Sequence, residues 1–122
     1  MLATGTGYWL IVHFIFDFLY RSDMKGEVQK CLDNGLTWIH VDVFDGVYLD
    51  SPNALTFGPQ MVDSLRKRFR DCQDLILDIH LCVERPQRFA STMAEAGASR
   101  LVFQWEAMDS LSSAVTFAQD IT

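Results

Sequence analysis

Apolar positions recur along the chain with two alternating spacings. In "MKGEVQKCLDNG" (24 to 35), Val28, Cys31 and Leu32 share one helical face, and Gly35 suits the left-handed residue that ends a helix. "TWIHVDV" (37 to 43) switches to strand alternation, and "FDGVYLDSPNALTFG" (44 to 58) reads as a long loop of turn formers. "PQMVDSLRKRF" (59 to 69) starts with proline at a first helical position and lines up Met61, Val62, Leu65 and Phe69. "LILDIHL" (75 to 81) is the next strand. Pro86 opens a helix running through Phe89, Met93 and Ala96 to Gly97, and "RLVFQW" (100 to 105) is a further strand. "DSLSSAVTFAQDI" (109 to 121) opens on a capping residue and carries Leu111, Val115 and Ala118 at helical spacing.

The N-terminal run "YWLIVHFIFDFLY" (8 to 20) falls short of the roughly 20 residues a spanning helix needs, and His13 and Asp17 interrupt it. No Lys or Arg precedes it and no small-residue cleavage site directly follows, so a secretory signal is not expected either. It is predicted to be a buried strand running into a loop. The element order is then β-α-β-α-β-α-β-α, which implies parallel strands joined by right-handed crossovers. Two helices end in "NGLTWIHV" and "AGASRLVF", each with glycine three residues before its strand, an echo that suits repeated αβ units.

Composition narrows the class. A 49% hydrophobic, 21% charged chain of 122 residues packs as one domain, and no linker or low-complexity segment divides it. The net charge of -6 argues against a nucleic-acid partner, which would require a concentrated positive surface. The basic cluster "RKRFR" (66 to 70) reads as a solvated face at the negative end of a helix dipole. Cys31, Cys72 and Cys82 match no disulfide framework or zinc module and point to a reducing compartment, with Cys31 and Cys82 as small buried thiols.

The chemistry lies in two strands. Alternation puts His40 and Asp42 on one face of the first and Asp78 and His80 on one face of the next, near the C-terminal ends where parallel α/β folds bind ligands. Two imidazoles and a carboxylate form a partial ligand set for zinc, iron(II), manganese or cobalt. Any of these residues alone could be a satisfied core group; the H-x-D and D-x-H together favour a metal. Asp78 either steadies His80 or makes an ordinary core hydrogen bond. Asp45, before Gly46, reads as a turn residue rather than a ligand, Glu106 as pocket wall or surface, and His13 as packing.

"WIHVDVFDG" (38 to 46), "PNALTFGPQMVDSLRKRF" (52 to 69), "LILDIHL" followed by "ERPQRFASTMAEAGA" (84 to 98), and Glu106 with Ala107 together resemble the first half of the ribulose-phosphate 3-epimerase family. The likeness runs in register over roughly residues 25 to 109, with 1 to 24 atypical. It implies an α/β fold, a partial TIM barrel of about four βα units forming one domain over residues 1 to 122. It also implies an isomerase that interconverts D-ribulose 5-phosphate and D-xylulose 5-phosphate by epimerisation at C3, in the pentose phosphate pathway. One divalent metal ion (zinc, iron(II), manganese or cobalt) would be held by His40, Asp42 and His80, with Asp42 also the general base and His80 touching the pentulose 5-phosphate substrate. The setting would be the cytoplasm or a plastid, with no membrane partner.

Some positions depart from the family's pattern. Its second aspartate, which is both fourth ligand and opposing acid, and its glycine-rich phosphate loops come from the second half of the barrel, after the helix in which Thr122 falls. Its first-strand serine has no counterpart in "YWLIVHFIFDF", where Asp17 and Phe18 alone echo the family's Asp-Phe. Phe44 and Cys82 stand where methionines are expected and Gln104 where a histidine is, and the loop at Asp50 and Ser51 is slightly longer. Four βα units would leave two open sheet edges and an uncovered inner face. The chain is therefore expected to be part of a longer product, or to form an oligomer or pair with a complementing half-barrel. Two alternatives stand beside the epimerase: a catalytically inactive half-barrel that binds metal or a partner, and an iron(II) oxygenase, which the β-α alternation disfavours.

Overall fold

A computed structural model describes residues 24–56 and 58–121. The strand expected at 8 to 20, with His13, Asp17 and Phe18, lies outside the described residues. The elements run α1 (Met24–Asp33), β1 (Trp38–Phe44), α2 (Pro59–Arg68), β2 (Ile76–Cys82), α3 (Ala90–Glu95), β3 (Arg100–Phe103) and α4 (Leu111–Asp120), with single 3-10 turns at Pro86–Arg88 and Trp105–Ala107. The strands form one parallel sheet in the order β1-β2-β3. This is the strand and helix alternation of a barrel segment.

The outer face of the sheet builds the core. Ile39, Val41 and Val43 of β1 and Leu77, Ile79 and Leu81 of β2 are buried against Val28 of α1, Val62 and Leu65 of α2 and Met93 of α3. Each such side chain contributes about 1.5–3 kcal/mol when withdrawn from water. Burial alternates strictly along β1, so the period of two dedicates one face to packing and leaves the other to His40, Asp42 and Phe44.

The two glycines of the internal echo do the same job. After α1, Leu36 N–H donates to the Cys31 carbonyl and Gly35 N–H to the Leu32 carbonyl; after α3, Ala98 donates to Met93 and Gly97 to Ala94. Both patterns are the paired closing bonds of a helix that ends on a left-handed residue, and φ is +77° at Gly35 and +97° at Gly97.

Four details differ from the sequence reading. The helix expected from Pro86 is broken at Phe89: Arg88 and Phe89 close a tight turn onto the Arg85 and Pro86 carbonyls before α3 begins. The strand expected to reach Trp105 ends at Phe103, where the chain turns into the second 3-10 segment. The α4 cap is Ser110, whose hydroxyl accepts from Ser113 N–H while Ser113 returns the bond to the Ser110 amide. Leu111 and Val115 of α4 are 64% and 51% exposed, because the helix turns Ala114 inward and sets Phe117 edge-on to Phe103 at 5.0 Å. Both faces of α4 carry apolar residues, and the Phe117–Phe103 contact chooses between them.

The basic run also divides. Lys67, Arg68 and Arg70 are exposed as expected, but Arg66 is half-buried. Its guanidinium donates from Nε and Nη2 to the Gly97 carbonyl (3.0 and 2.7 Å), from Nη1 to the Leu75 carbonyl (3.0 Å) and from Nη2 to Ser99 Oγ (2.9 Å). Ser99 Oγ in turn accepts from Leu77 N–H. Arg66 therefore ties α2 to the segments entering β2 and β3.

A β-carbon at Gly97 would lie 2.8 Å from Arg66 Cγ, whereas one at Gly35 meets nothing within 4 Å. In urea unfolding of the full-length protein, Gly35→Ala should cost about 1–2 kcal/mol for the left-handed backbone. Gly97→Ala should cost about 2–4 kcal/mol, since it also displaces a charged hydrogen-bond hub. Equal losses would mean that Arg66 yields without penalty.

Candidate metal centre

The register of the parallel strands sorts the inner-face side chains into rows. His40 stands opposite Asp78, which stands opposite Arg100; one row nearer the C-terminal ends, Asp42 stands opposite His80 and His80 opposite Val102. Phe44 and Cys82 form the next row. The H-x-D of β1 and the D-x-H of β2 thus interlock with each imidazole facing a carboxylate across the strand gap.

Distances follow this arrangement. Asp42 Oδ1 lies 2.8 Å from His80 Nδ1 and 3.2 Å from His40 Nε2, and the two imidazole centroids are 5.6 Å apart. Asp78 Oδ2 accepts from His40 Nδ1 at 2.8 Å. Gln104, just past β3, brings its amide Nε2 to 2.8 Å from His80 Nε2. Among the described residues, His40, Asp42 and His80 can each present one ligand atom with all of these within 4.8 Å of one another.

The donor set fits a divalent cation on a specific observation. With its proton on Nδ1 and given to Asp78, His40 turns an Nε2 lone pair toward the Asp42 carboxylate 3.2 Å away. Nε2 and the carboxylate oxygen then face each other as two acceptors, a pair that a metal ion bound by nitrogen and oxygen brings together. These side chains are largely withdrawn from solvent, at 13% exposed for His40 and Asp42 and 21% for His80.

Asp78 bonds to His40 rather than to His80, because the strand register sets Asp78 opposite His40. The roles of Gln104 and Arg100 were not read from the sequence, since both depend on which β2 row each residue of β3 meets. Cys82 is buried with Sγ 3.5 Å from His80 Nε2. Burial raises its thiol above the ordinary value; the Gln104 hydrogen bond opposes this and the Asp42 charge adds to it. Cys31 is only partly buried, and its thiol is raised likewise by burial and then by Glu27.

The loop above the site is fastened to the strand ends. Thr56 Oγ1 accepts from Phe44 N–H at 2.8 Å and donates to the Asp42 carbonyl at 3.2 Å. Asp45 is the turn residue expected: Oδ1 accepts from the Val47 and Tyr48 amides, both at 2.9 Å, and Oδ2 from the Glu84 amide at 2.8 Å. It thereby joins the loops that follow β1 and β2. Glu106 lies exposed in the 3-10 turn after β3, so the surface reading holds.

Residues 17–121 match the Ribulose-phosphate 3 epimerase family. The chain belongs to that family. Curated ribulose-phosphate 3-epimerases similar to it include those of Mycobacterium tuberculosis (38% identical over 122 residues, 98% of this chain and 47% of that protein) and Schizosaccharomyces pombe (33% over 99 residues, 81% and 42%). A relative from Oryza sativa, named as the cytoplasmic isoform, is 34% identical over 85 residues, 70% of this chain and 34% of that protein. The chain thus spans about half the length, or less, of these relatives. Membership in the epimerase family accounts for the parallel sheet as part of a TIM barrel and sets aside the oxygenase alternative. No helix among the described residues is long and apolar enough to cross a membrane.

Burial raises the Asp45 carboxyl, but the amides of Tyr48, Glu84 and Val47 outweigh it and hold the group below the ordinary aspartate value. Its contribution to stability is therefore complete above the unfolded value of about 3.9 and is lost as pH falls through the lowered folded value. Asp45→Ala should destabilise the full-length protein at pH 7, and unfolding curves taken at falling pH should show the gap to the parent closing in the acid range. A gap independent of pH would remove the charge from the explanation.

Proposed function

We propose that this chain, within the complete barrel of its family, takes part in metal-dependent epimerisation at C3 between D-ribulose 5-phosphate and D-xylulose 5-phosphate. The observation that carries the reading is the convergence of two imidazoles on the Asp42 carboxylate, at 2.8 and 3.2 Å, on the inner face of a parallel sheet. His40, Asp42 and His80 would hold one zinc, iron(II), manganese or cobalt ion. When bound, the cation supplies Lewis-acid stabilisation of negative charge on the substrate's C2 and C3 oxygens.

The residues of the chain account for half of the proton traffic. The C3 proton is acidic because it neighbours the C2 ketone. Asp42 takes that proton, and the electron pair left on C3 delocalises into a C2–C3 enediolate. His80, in the same row as Asp42, reaches the substrate oxygens from the neighbouring strand. Inversion requires a second acid on the opposite face of the enediolate, and this, with the groups that grip the phosphate, is assigned to the rest of the barrel. That part would come from the same longer chain, or from a second chain covering the inner face and the β3 edge. A cytoplasmic setting follows the name of the Oryza sativa relative.

The test is exchange of the C3 hydrogen of D-ribulose 5-phosphate in deuterated water, with metal content measured in parallel. The full-length parent should exchange, and Asp42→Asn should reduce exchange by at least about 1,000-fold, since it removes a base and weakens a ligand together. His80→Ala should lower metal affinity about 10- to 100-fold. Unchanged exchange in Asp42→Asn would overturn the role given to Asp42.

A further inference from the structure

Asp78 is the one buried charged residue in the described core, 6% exposed. Its side chain is only half satisfied. Oδ2 takes the His40 Nδ1 proton at 2.8 Å, while Oδ1 is buried and receives no hydrogen bond among the described residues. Arg100 Nε lies 3.6 Å from Oδ1, beyond hydrogen-bond reach, and its guanidinium stacks 5.1 Å over the Trp38 ring. An unsatisfied buried carboxylate oxygen costs about 1–3 kcal/mol, so an apolar residue at this position would make the more stable sheet. Packing therefore does not explain Asp78.

We propose that Asp78 is a positioning residue: its carboxylate holds the His40 proton on Nδ1 and thereby aims the Nε2 lone pair at the metal. The inference rests on the metal-centre reading above. A neutral imidazole carries one proton, and whichever nitrogen gives it away leaves the other as the ligand atom. A carboxylate on Nδ1 makes that choice, fixes the ring plane, and increases the electron density that Nε2 offers to a cation. His80 has no such anchor among the described residues: its contacts are Asp42, itself a proposed ligand, the Cys82 sulfur and the neutral amide of Gln104. Of the two imidazoles, His40 is thus the one pre-set for binding, and His80 is the one that must exchange contacts to bind.

The test uses the full-length protein with cobalt(II) as the probe. Affinity is read by chelator competition and ligand geometry by the cobalt absorption spectrum, while long-range proton–nitrogen spectra of the metal-free protein report the His40 tautomer. The parent should show His40 protonated on Nδ1. Asp78→Asn keeps the shape and an acceptor but not the charge, and should bind cobalt about 10-fold more weakly. Asp78→Ala should lose up to about 100-fold and show a mixture of tautomers. The isosteric Asp78→Asn keeps the test decisive if the alanine variant does not fold. Cobalt affinity and tautomer unchanged in Asp78→Asn, even with altered unfolding stability, would overturn the proposal and leave Asp78 a structural group. Failure of the parent to bind cobalt would overturn both this proposal and the metal-centre reading, so the two failures are distinguishable.

Discussion

Side chains on adjacent parallel strands meet only in the rows that the register creates, and the register of β1 against β2 sets His40 beside Asp78 and Asp42 beside His80. A slip of one residue would turn the polar groups of the slipped strand toward the apolar layer. A slip of two would keep the faces and break the pairs. The polar cluster therefore depends on a backbone alignment maintained by groups remote from it. Ile39, Val41 and Val43 pack the opposite face, Thr37 accepts from Ile76 N–H at the strand entrance, and Arg66 grips the Leu75 and Gly97 carbonyls below.

The division of labour between the two faces is energetic as well as geometric. The outer face buries branched aliphatic side chains that need no partners. The inner face carries His40, Asp42, Asp78 and His80, whose desolvation is offset by one another and by neighbours such as Arg100 and Gln104. Folding brings these carboxylates and imidazoles together before any ligand arrives, in an arrangement that could hold a cation.

Further side chains wall this cluster. Gln104 contacts His80, Cys82 lies against the same ring, and Phe44 completes the row beyond Asp42. The thiol and the phenyl ring keep those walls soft and apolar. Asp45 and Thr56 fasten the long loop after β1 to the strand ends, so the rim is built on main-chain hydrogen bonds that a neutral or protonated side chain at Asp45 would not reproduce.

How much of this was legible before folding depended on the range of the interaction involved. The β-α alternation, the glycine stops at Gly35 and Gly97, the shared face of His40 with Asp42 and of Asp78 with His80, and the turn role of Asp45 all follow from periods of two and 3.6 residues and from the conformational freedom of single residues. The sequence by itself determined these because each rests on neighbours a few positions away. Only the tertiary structure decided that Asp78 bonds to His40, that Arg66 bonds to carbonyls while Lys67 and Arg68 stay in water, and that α4 buries Ala114 instead of Leu111. Each of those outcomes turns on the alignment of segments far apart in the chain, and a residue's identity does not specify which distant backbone it will meet.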